Sequence, residues 1–171
     1  MGRTMDGPPI ALRLATRDDA PGIAALSRDR IEHGLGWRWT APRVLRSLRD
    51  PATNVVVADA HGAALLGFGI MKYHDDEAHL LLLAVQAGAE RRGIGRALVA
   101  WLEQSARVAG IGHVSLEARQ ANAAARAFYA GLGYRELQRV SGYYSGQDGR
   151  GGREDAVRLG KDLWEAPVAP T

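Results

Sequence analysis

Hydrophobic and polar residues alternate in some segments of the chain and recur at helical spacing in others. Residues 10–15, IALRLA, alternate and predict a first strand. Residues 16–34 carry acidic residues in their first turn and end at Gly34, which predicts a helix. A loop with the sequence GLGWRWT then leads to a short second helix, which begins at Thr40 and ends before residues 50–51.

Aliphatic runs broken by polar turns dominate the middle of the chain. Residues 54–85 predict three consecutive strands, with turns at residues 60–62 and 74–77. Residues 113–119, HVSLEAR, predict a further strand, and their alternation places Glu117 on its polar face.

Two later segments have the periodicity of amphipathic helices. Residues 94–110 carry a stripe of apolar residues and end at a glycine. Residues 122–134 predict a second such helix, for which Asn122 is a natural N-cap. Residues 134–145 and 154–163 predict two closing strands.

The predicted element order is β-α-α-β-β-β-α-β-α-β-β. Strands outnumber helices, and a strand meander precedes a strand–helix–strand unit, which predicts a mixed α/β sheet with helices on both faces. The length of 171 residues suits one domain, expected over residues 10–165. Residues 1–9 and 166–171 are rich in Pro, Gly and Ala and are expected to be flexible.

Composition and charge argue against several classes of function. The chain has no cysteine, which excludes a disulfide framework, a thiolate zinc site and a cysteine nucleophile. The five histidines show no metal-ligand spacing, so no metal is expected. The net charge of +3 is small and the basic residues are scattered, which argues against nucleic-acid binding. The apolar stretches are too short to span a bilayer, so no membrane association and a cytoplasmic location are expected.

Residues 88–98, GAERRGIGRAL, join an aliphatic run to a predicted helix. Glycines at a helix N-terminus let a ligand approach the backbone, and the free N–H groups and the helix dipole attract anions. The arginines of this segment add full positive charges. These features predict a phosphate-binding turn, and several consecutive amides favour a diphosphate over a single phosphate.

Two common phosphate-binding motifs do not fit this turn. A P-loop requires GxxxxGK followed by Ser or Thr, and the turn has no lysine. A dinucleotide-binding fingerprint requires a third glycine where Leu98 stands, and it belongs to a first strand–helix unit. Taken alone, the segment also fits a glycine-rich turn with incidental arginines.

Two motifs in the chain resemble those of the GNAT superfamily of acyl-CoA-dependent N-acetyltransferases. They are residues 79–103, HLLLLAVQAGAERRGIGRALVAWLE, and residues 122–134, NAAARAFYAGLGY. The resemblance extends over residues 10–163, with one departure at Glu90, where the family usually has Gln or Arg. It implies the GNAT fold, with a mostly antiparallel sheet of six to seven strands and about four helices. It also implies acetyl-CoA as the co-substrate, with no metal.

Part of the chain is similar to a narrower group, the ribosomal-protein alanine N-acetyltransferases. The likeness rests on residues 116–134, LEARQANAAARAFYAGLGY, and on residues 142–159, GYYSGQDGRGGREDAVRL. Gly142 replaces an Asn of that group, and residues 32–48 do not look like its corresponding region. In the superfamily this region helps to shape the acceptor site.

The resemblance assigns the cofactor to the glycine-rich turn and to the strand before it. The turn would hold the diphosphate with Arg91, Arg92, Gly93, Ile94, Gly95 and Arg96. The pantetheine arm would bind like an added strand, where two strands splay apart, to the backbone of Leu83, Ala84 and Val85. Asn122 would lie near the pantetheine, and the Val85 amide would donate to the thioester oxygen. A central strand that is buried on both faces explains the same aliphatic run without a ligand.

Glu117 and Tyr129 are the candidate catalytic residues under this resemblance. Glu117 corresponds to the glutamate of the LExR motif and would accept the amine proton, directly or through water. Tyr129 would protonate the departing thiolate, because phenols and thiols have comparable pKa values. The alternatives are an ion-paired or solvated Glu117 on an exposed sheet face and a core Tyr129 with a solvated hydroxyl.

Four aromatic residues are candidates for the acceptor site. Trp37 and Trp39 belong to the loop before the second helix, and they either line the acceptor pocket or pack against the sheet. Tyr143 and Tyr144 belong to the last hairpin, which borders the acceptor in the superfamily.

Three functions remain open for the chain. The narrower likeness favours acetylation of a protein N-terminal α-amine. A small-molecule amine is the alternative acceptor, such as an amino acid, a polyamine or an aminoglycoside. A CoA-binding module without catalysis is the third possibility, against which the presence of both Glu117 and Tyr129 argues. A monomer and a homodimer are both compatible with the sequence.

Overall fold

A computed structural model describes residues 9–62, 64–144 and 154–165 of the chain. Within these residues, seven strands form one sheet and four helices pack against it. The strands are β1 Ala11–Leu14, β2 Thr53–Asp59, β3 Leu65–Tyr73, β4 Ala78–Val85, β5 His113–Arg119, β6 Arg135–Tyr144 and β7 Glu154–Asp162. The helices are α1 Ala20–Arg30, α2 Ala41–Arg49, α3 Ile94–Val108 and α4 Ala123–Gly131.

The predicted order of strands and helices is confirmed. The sheet order is β1-β2-β3-β4-β5-β7-β6, and within the described residues only β4 and β5 pair in parallel. The first helix ends at Arg30, four residues before the end that its sequence predicts. Gly34 lies in the turn that follows, with a φ angle of 77°. The ends expected to be flexible are residues 1–9 and 166–171. Apart from Pro9, these residues lie outside the described part of the chain.

The two faces of the sheet have separate hydrophobic cores, as predicted for helices on both faces. We call the face that packs against α3 and α4 the α3 face, and the one that packs against α1 and α2 the α1 face. In β2, Val56 points to the α3 face, whereas Val55 and Val57 point to the α1 face. Burial on both faces explains why this strand is continuously apolar.

A glycine in β3 brings α3 close to the sheet. A Cβ atom added at Gly69 would lie 2.8 Å from Cδ1 of Leu102, which is shorter than a real Cβ contact. The helix therefore packs against bare backbone at this point, and a side chain in place of Gly69 would displace Leu102.

A buried polar cluster joins α3 to the residues after α4 and to β7. The carboxylate of Glu103 accepts hydrogen bonds from the Tyr134 hydroxyl and from Lys161 Nζ, each at 3.0 Å. Burial, and then the adjacent Glu103 charge, raises the pKa of Tyr134 above its usual value, so this hydroxyl remains a donor. Because every member has a partner, the cluster orients α3 without leaving a buried polar group unsatisfied.

The described residues also bear on membrane spanning and on metal binding. None of the helices there has both the length and the apolar composition to cross a bilayer. In the same part of the chain, no three His, Cys, Asp or Glu side chains converge as a metal site.

Candidate active site

The parallel pair of strands, β4 and β5, separates part of the way along its length. Pairing is confined to residues 78–80 of β4 and 114–116 of β5. Beyond these residues β4 continues beside β3, and β5 continues beside β7. The sheet therefore has a wedge-shaped gap between the C-terminal halves of the two strands.

A β-bulge in β4 lies where this gap opens. Leu80 pairs with Met71 and Leu82 pairs with Ile70, so Leu81 is an extra residue without a partner. The bulge reverses the side-chain alternation, because Leu80 packs on the α3 face whereas Leu82 packs on the α1 face. The sequence LLLLAV could not indicate this reversal, since every residue in it is apolar.

Backbone groups of β4 face the gap. The N–H of Gln86 donates to the carbonyl oxygen of Leu66 on β3 at 2.7 Å. Alternate residues of an antiparallel strand face the partner strand, so the backbone of Ala84 also faces β3. By the same alternation, the N–H and C=O groups of Leu83 and Val85 face the side from which β5 has separated.

The turn between β4 and α3 has a strained backbone. Gly88, Arg91 and Gly93 have φ angles of 86°, 62° and 77°. This left-handed region suits glycine and is unusual for an arginine. Gly93 is the N-cap of α3, and no side chain caps the helix there. The first N–H groups of α3 therefore have no intrahelical partner. A Cβ atom added at Gly93 would meet no other atom within 4 Å, so the space beside the turn is open.

The charges around this turn are mainly positive. Arg91, Arg92 and Arg96 are exposed, and none of them is in an ion pair within the described residues. Glu90, the residue that departs from the family pattern, pairs with Arg30 of α1, which offsets its negative charge. An exposed pair of this kind contributes little stability, and its effect is on the local charge.

The start of α3 adjoins both β4 and α4. A Cβ atom added at Gly95 would lie 3.2 Å from Cζ of Phe128 and 3.7 Å from Cγ2 of Val85. Ile94 of the same turn is buried in the α3-face core. The structure therefore brings the glycine-rich turn, the gap-facing end of β4 and helix α4 together.

Glu117 is buried and ion-paired on the α1 face of β5. Its side chain is 6% exposed, and Oε2 lies 2.6 Å from His79 Nε2. Arg158 of β7 donates to Oε1 from Nη2 at 2.8 Å and from Nε at 3.0 Å. Burial alone would raise the pKa of Glu117, but the hydrogen bonds from His79 and Arg158 outweigh it and hold the pKa below its usual value.

His79 and Arg158 are site residues that the sequence does not reveal. His79 stands at the start of β4, and its Nδ1 lies 2.9 Å from the hydroxyl of Ser115, its neighbour across the parallel pair. Arg158 is the cross-strand partner of Glu117 in β7. Both contacts depend on strand register, which hydrophobic alternation does not fix between strands distant in sequence.

Tyr129 lies on the α3 face, opposite Glu117. It is 8% exposed and packs edge-to-face against Phe128 and Tyr134, with ring centroids 5.1 Å and 5.6 Å away. Asn122 caps α4, as its sequence predicts, and its Oδ1 accepts the N–H of Ala125 at 3.0 Å. Glu117 and Tyr129 are thus on the two sides of the sheet that the gap connects.

The loop between α1 and α2 is held by a buried carboxylate. Glu32 is 6% exposed and accepts the N–H groups of Arg38 at 2.7 Å and Trp39 at 3.2 Å. Arg119, at the end of β5, donates to the carbonyl oxygen of His33 at 2.9 Å. These bonds fix the loop beside the end of β5 that borders the gap.

The four aromatic candidates have different surroundings. Trp39 is buried in the α1-face core, beneath the guanidinium of Arg43, whereas Trp37 is 44% exposed and lies beneath Arg28. Burial, followed by the negative charge of Glu117, raises the pKa of Tyr143. Tyr143 therefore lies within the electrostatic field of the Glu117 site. Tyr144 ends β6, and its side chain lies outside the described part of the chain.

A match to a family model and similarity to named proteins agree with this geometry. The model of the acetyltransferase (GNAT) family matches residues 22–134. The ribosomal protein bS18-alanine N-acetyltransferase of Escherichia coli (strain K12) is 39% identical over 93 residues, which cover 54% of this chain and 61% of that protein. The chain thus spans about three fifths of the length of this curated relative.

Solved structures share the fold. The crystal structure of the ribosomal-protein-S18-alanine N-acetyltransferase from Escherichia coli superposes with a TM-score of 0.77 at 25% identity, over 95% of this chain and 99% of that one. Arabidopsis thaliana NAA60 in complex with acetyl-CoA superposes with a TM-score of 0.77 at 18% identity, over 91% and 99%. The sheet with its splayed strands is the GNAT fold, and because the family model spans most of the chain, this protein belongs to the acetyltransferase (GNAT) family.

Proposed function

We propose that this protein transfers the acetyl group of acetyl-CoA to the α-amine of a protein N-terminus, by direct attack of the amine in a ternary complex. Membership of the acetyltransferase family supports the reaction, and the relatives named ribosomal-protein alanine N-acetyltransferases support the acceptor. The observation that carries the proposal is the gap between β4 and β5, which has Glu117 on one face of the sheet and Tyr129 on the other.

In this proposal the turn before α3 and the end of β4 bind acetyl-CoA. The uncapped N–H groups of α3, together with Arg91, Arg92 and Arg96, fit the diphosphate. The gap-facing groups of Leu83 and Val85 fit the amides of the pantetheine arm, which would add to β4 like a strand. The Val85 N–H would then polarise the thioester carbonyl.

The two faces of the sheet separate the two proton transfers. The amine attacks from the α1 face, where the Glu117 carboxylate accepts its proton directly or through water as the N–C bond forms. The C–S bond breaks toward the α3 face, where the Tyr129 hydroxyl donates a proton to the thiolate. One reaction centre in the gap therefore meets a base and an acid that do not contact each other.

A small-molecule amine is the second candidate acceptor. The positive charges of Arg158 and Arg38 act on the Tyr143 hydroxyl beside Glu117. The negative charge of Glu117 acts on the same hydroxyl more strongly, so these charges do not select among amino acids, polyamines and aminoglycosides.

The test is release of free thiol from acetyl-CoA with a panel of acceptors. The protein has no cysteine and contributes no thiol background. The panel contains an Ala-starting peptide, the same peptide with a blocked N-terminus and an internal Lys, and free amino acids and polyamines. Release with the free N-terminus alone supports the proposal. Release with a free amine and not with peptides overturns the protein acceptor, and a panel without release, despite binding of acetyl-CoA, overturns both acceptors.

A further inference from the structure

A continuous chain of hydrogen bonds runs from Glu117 to the start of β4. The His79 ring bridges Glu117, at 2.6 Å from Nε2, and Ser115, at 2.9 Å from Nδ1. The Ser115 hydroxyl in turn donates to the carboxylate of Glu77. These hydrogen bonds join β5, β4 and the turn before β4. Apart from Glu117, their residues have no role in the proposed reaction.

The number of available hydrogens fixes the charge of this chain. A hydroxyl has one hydrogen, and Ser115 gives it to Glu77, because an ionised carboxylate can only accept. Ser115 therefore accepts from Nδ1 of His79. Glu117 is also a carboxylate, so it accepts from Nε2 of the same ring. A ring that donates from both nitrogens is an imidazolium.

We infer that His79 is held as an imidazolium between Glu117 and the Ser115–Glu77 pair, and that it is a positioning residue for Glu117. Its N–H bond aims one carboxylate oxygen, and its charge keeps that carboxylate ionised. The other oxygen is fixed by Arg158. Two cations on fixed donors thus hold a single rotamer of Glu117 at the edge of the gap. The catalytic part of this inference rests on the proposed function, whereas the charge of the ring does not.

The surroundings of His79 support a positive ring. Its side chain is only 18% exposed, so its charge is poorly solvated and depends on nearby carboxylates. On β3 the residue opposite His79 is Lys72, whose Nζ pairs with Asp50 at 3.4 Å. Among the described residues, the ring therefore contacts the carboxylate of Glu117 and, through Ser115, that of Glu77. Arg158 binds the other oxygen of Glu117, and the Lys72–Asp50 pair lies on the side of β3.

The first test measures the protonation state of the His79 ring directly and needs no amine substrate. Long-range proton–nitrogen spectra of the wild-type protein at pH 7 distinguish an imidazolium from either neutral tautomer, and a His79→Gln variant assigns the signal. The inference expects an imidazolium in the free protein. A neutral ring at pH 7 in the wild type overturns the inference, whatever reaction the protein catalyses.

The second test reads the positioning role. His79→Phe removes the bond and the charge, whereas His79→Gln keeps a donor and removes only the charge. His79→Phe should lower kcat about tenfold or more, while the KM for acetyl-CoA is unchanged. His79→Gln should recover part of kcat.

An exposed histidine provides the control. His74→Gln, in the turn before β4, should leave kcat as in the wild type. A folded His79→Phe variant with wild-type kcat overturns the positioning role. Equal losses in His79→Phe and His79→Gln contradict the expected rescue by a retained donor and also overturn the positioning role.

Discussion

Two tyrosines that contact each other should respond differently to loss of the hydroxyl. Tyr129→Phe should lower kcat by about 100-fold or more, the range expected for a missing general acid, while acetyl-CoA still raises the melting temperature. Tyr134→Phe should instead lower the free energy of unfolding by about 1–2 kcal/mol, because it removes a buried bond to Glu103. Steady-state kinetics with thermal melts of both variants separates the roles. Unchanged turnover in Tyr129→Phe would remove that hydroxyl from the mechanism.

The charge state of Glu117 determines the expected pH profile of kcat/KM. Because its pKa lies below the usual carboxyl range, Glu117 is already ionised throughout the neutral range. The rise of kcat/KM with pH should therefore follow deprotonation of the acceptor α-amine, at about pH 8. Replacing the peptide by one with a less basic N-terminus should shift the rise downward. A limb near pH 6 that stays in place when the acceptor is changed would contradict this assignment.

At the scale of secondary-structure elements, the contact between β3 and α3 should depend on a glycine. Gly69→Ala should lower the free energy of unfolding by about 1–3 kcal/mol, because its Cβ would lie too close to Leu102. Gly131→Ala, at the end of α4, is the matched control, since its Cβ would meet no atom within 4 Å and alanine favours helix. Denaturant unfolding of both variants compares them. A Gly69→Ala variant as stable as Gly131→Ala would show that the contact with Leu102 relaxes without cost.

The elements were predictable from the sequence because each has a local signal. The alternation in residues 10–15, the cap at Asn122 and the glycines around residues 88–95 all depend on near neighbours in sequence. The bulge at Leu81 and the early end of α1 were not predictable in this way. Each depends on contacts made across the sheet or within a loop.

The site was predictable only where a motif marks it. Glu117 was recognised from its motif as a candidate base, and the sequence left an ion-paired Glu117 as the alternative to that role. The structure shows that Glu117 is ion-paired, with His79 and Arg158. His79 gave no signal, because its partner lies on a strand 36 positions away in sequence at Ser115. Glu32 gave none either, because a carboxylate that accepts backbone amides needs no fixed spacing in sequence.

At the scale of the whole molecule, ion-paired carboxylates should make the free energy of unfolding fall at low pH. Arg13 bridges Asp19 at 2.8 Å and Asp59 at 2.7 Å, and these bonds hold the pKa of both carboxyls below the usual value. A depressed carboxyl pKa contributes stability that is complete above the unfolded-state pKa and is lost as the pH falls through the folded-state pKa. The melting temperature should therefore be nearly flat down to about pH 5 and should fall at lower pH.

An Arg13→Gln variant tests this origin of the acid sensitivity. It should melt at a lower temperature than the wild type at pH 7, and the difference between the two should shrink as both carboxyls become protonated. Arg49→Gln, on an exposed helix end without an ion pair among the described residues, is the control. Parallel melting curves for Arg13→Gln and the wild type at every pH would assign the acid sensitivity to other groups.

The central claim is that the gap between β4 and β5 is an acetyl-transfer site with Glu117 as its base. The most direct measurement is mass spectrometry of an Ala-starting peptide after incubation with acetyl-CoA and either the wild type or Glu117→Gln. We expect one acetyl group on the α-amine with the wild type, and a rate at least tenfold lower with Glu117→Gln at unchanged acetyl-CoA affinity. Equal rates for the two proteins would contradict the claim.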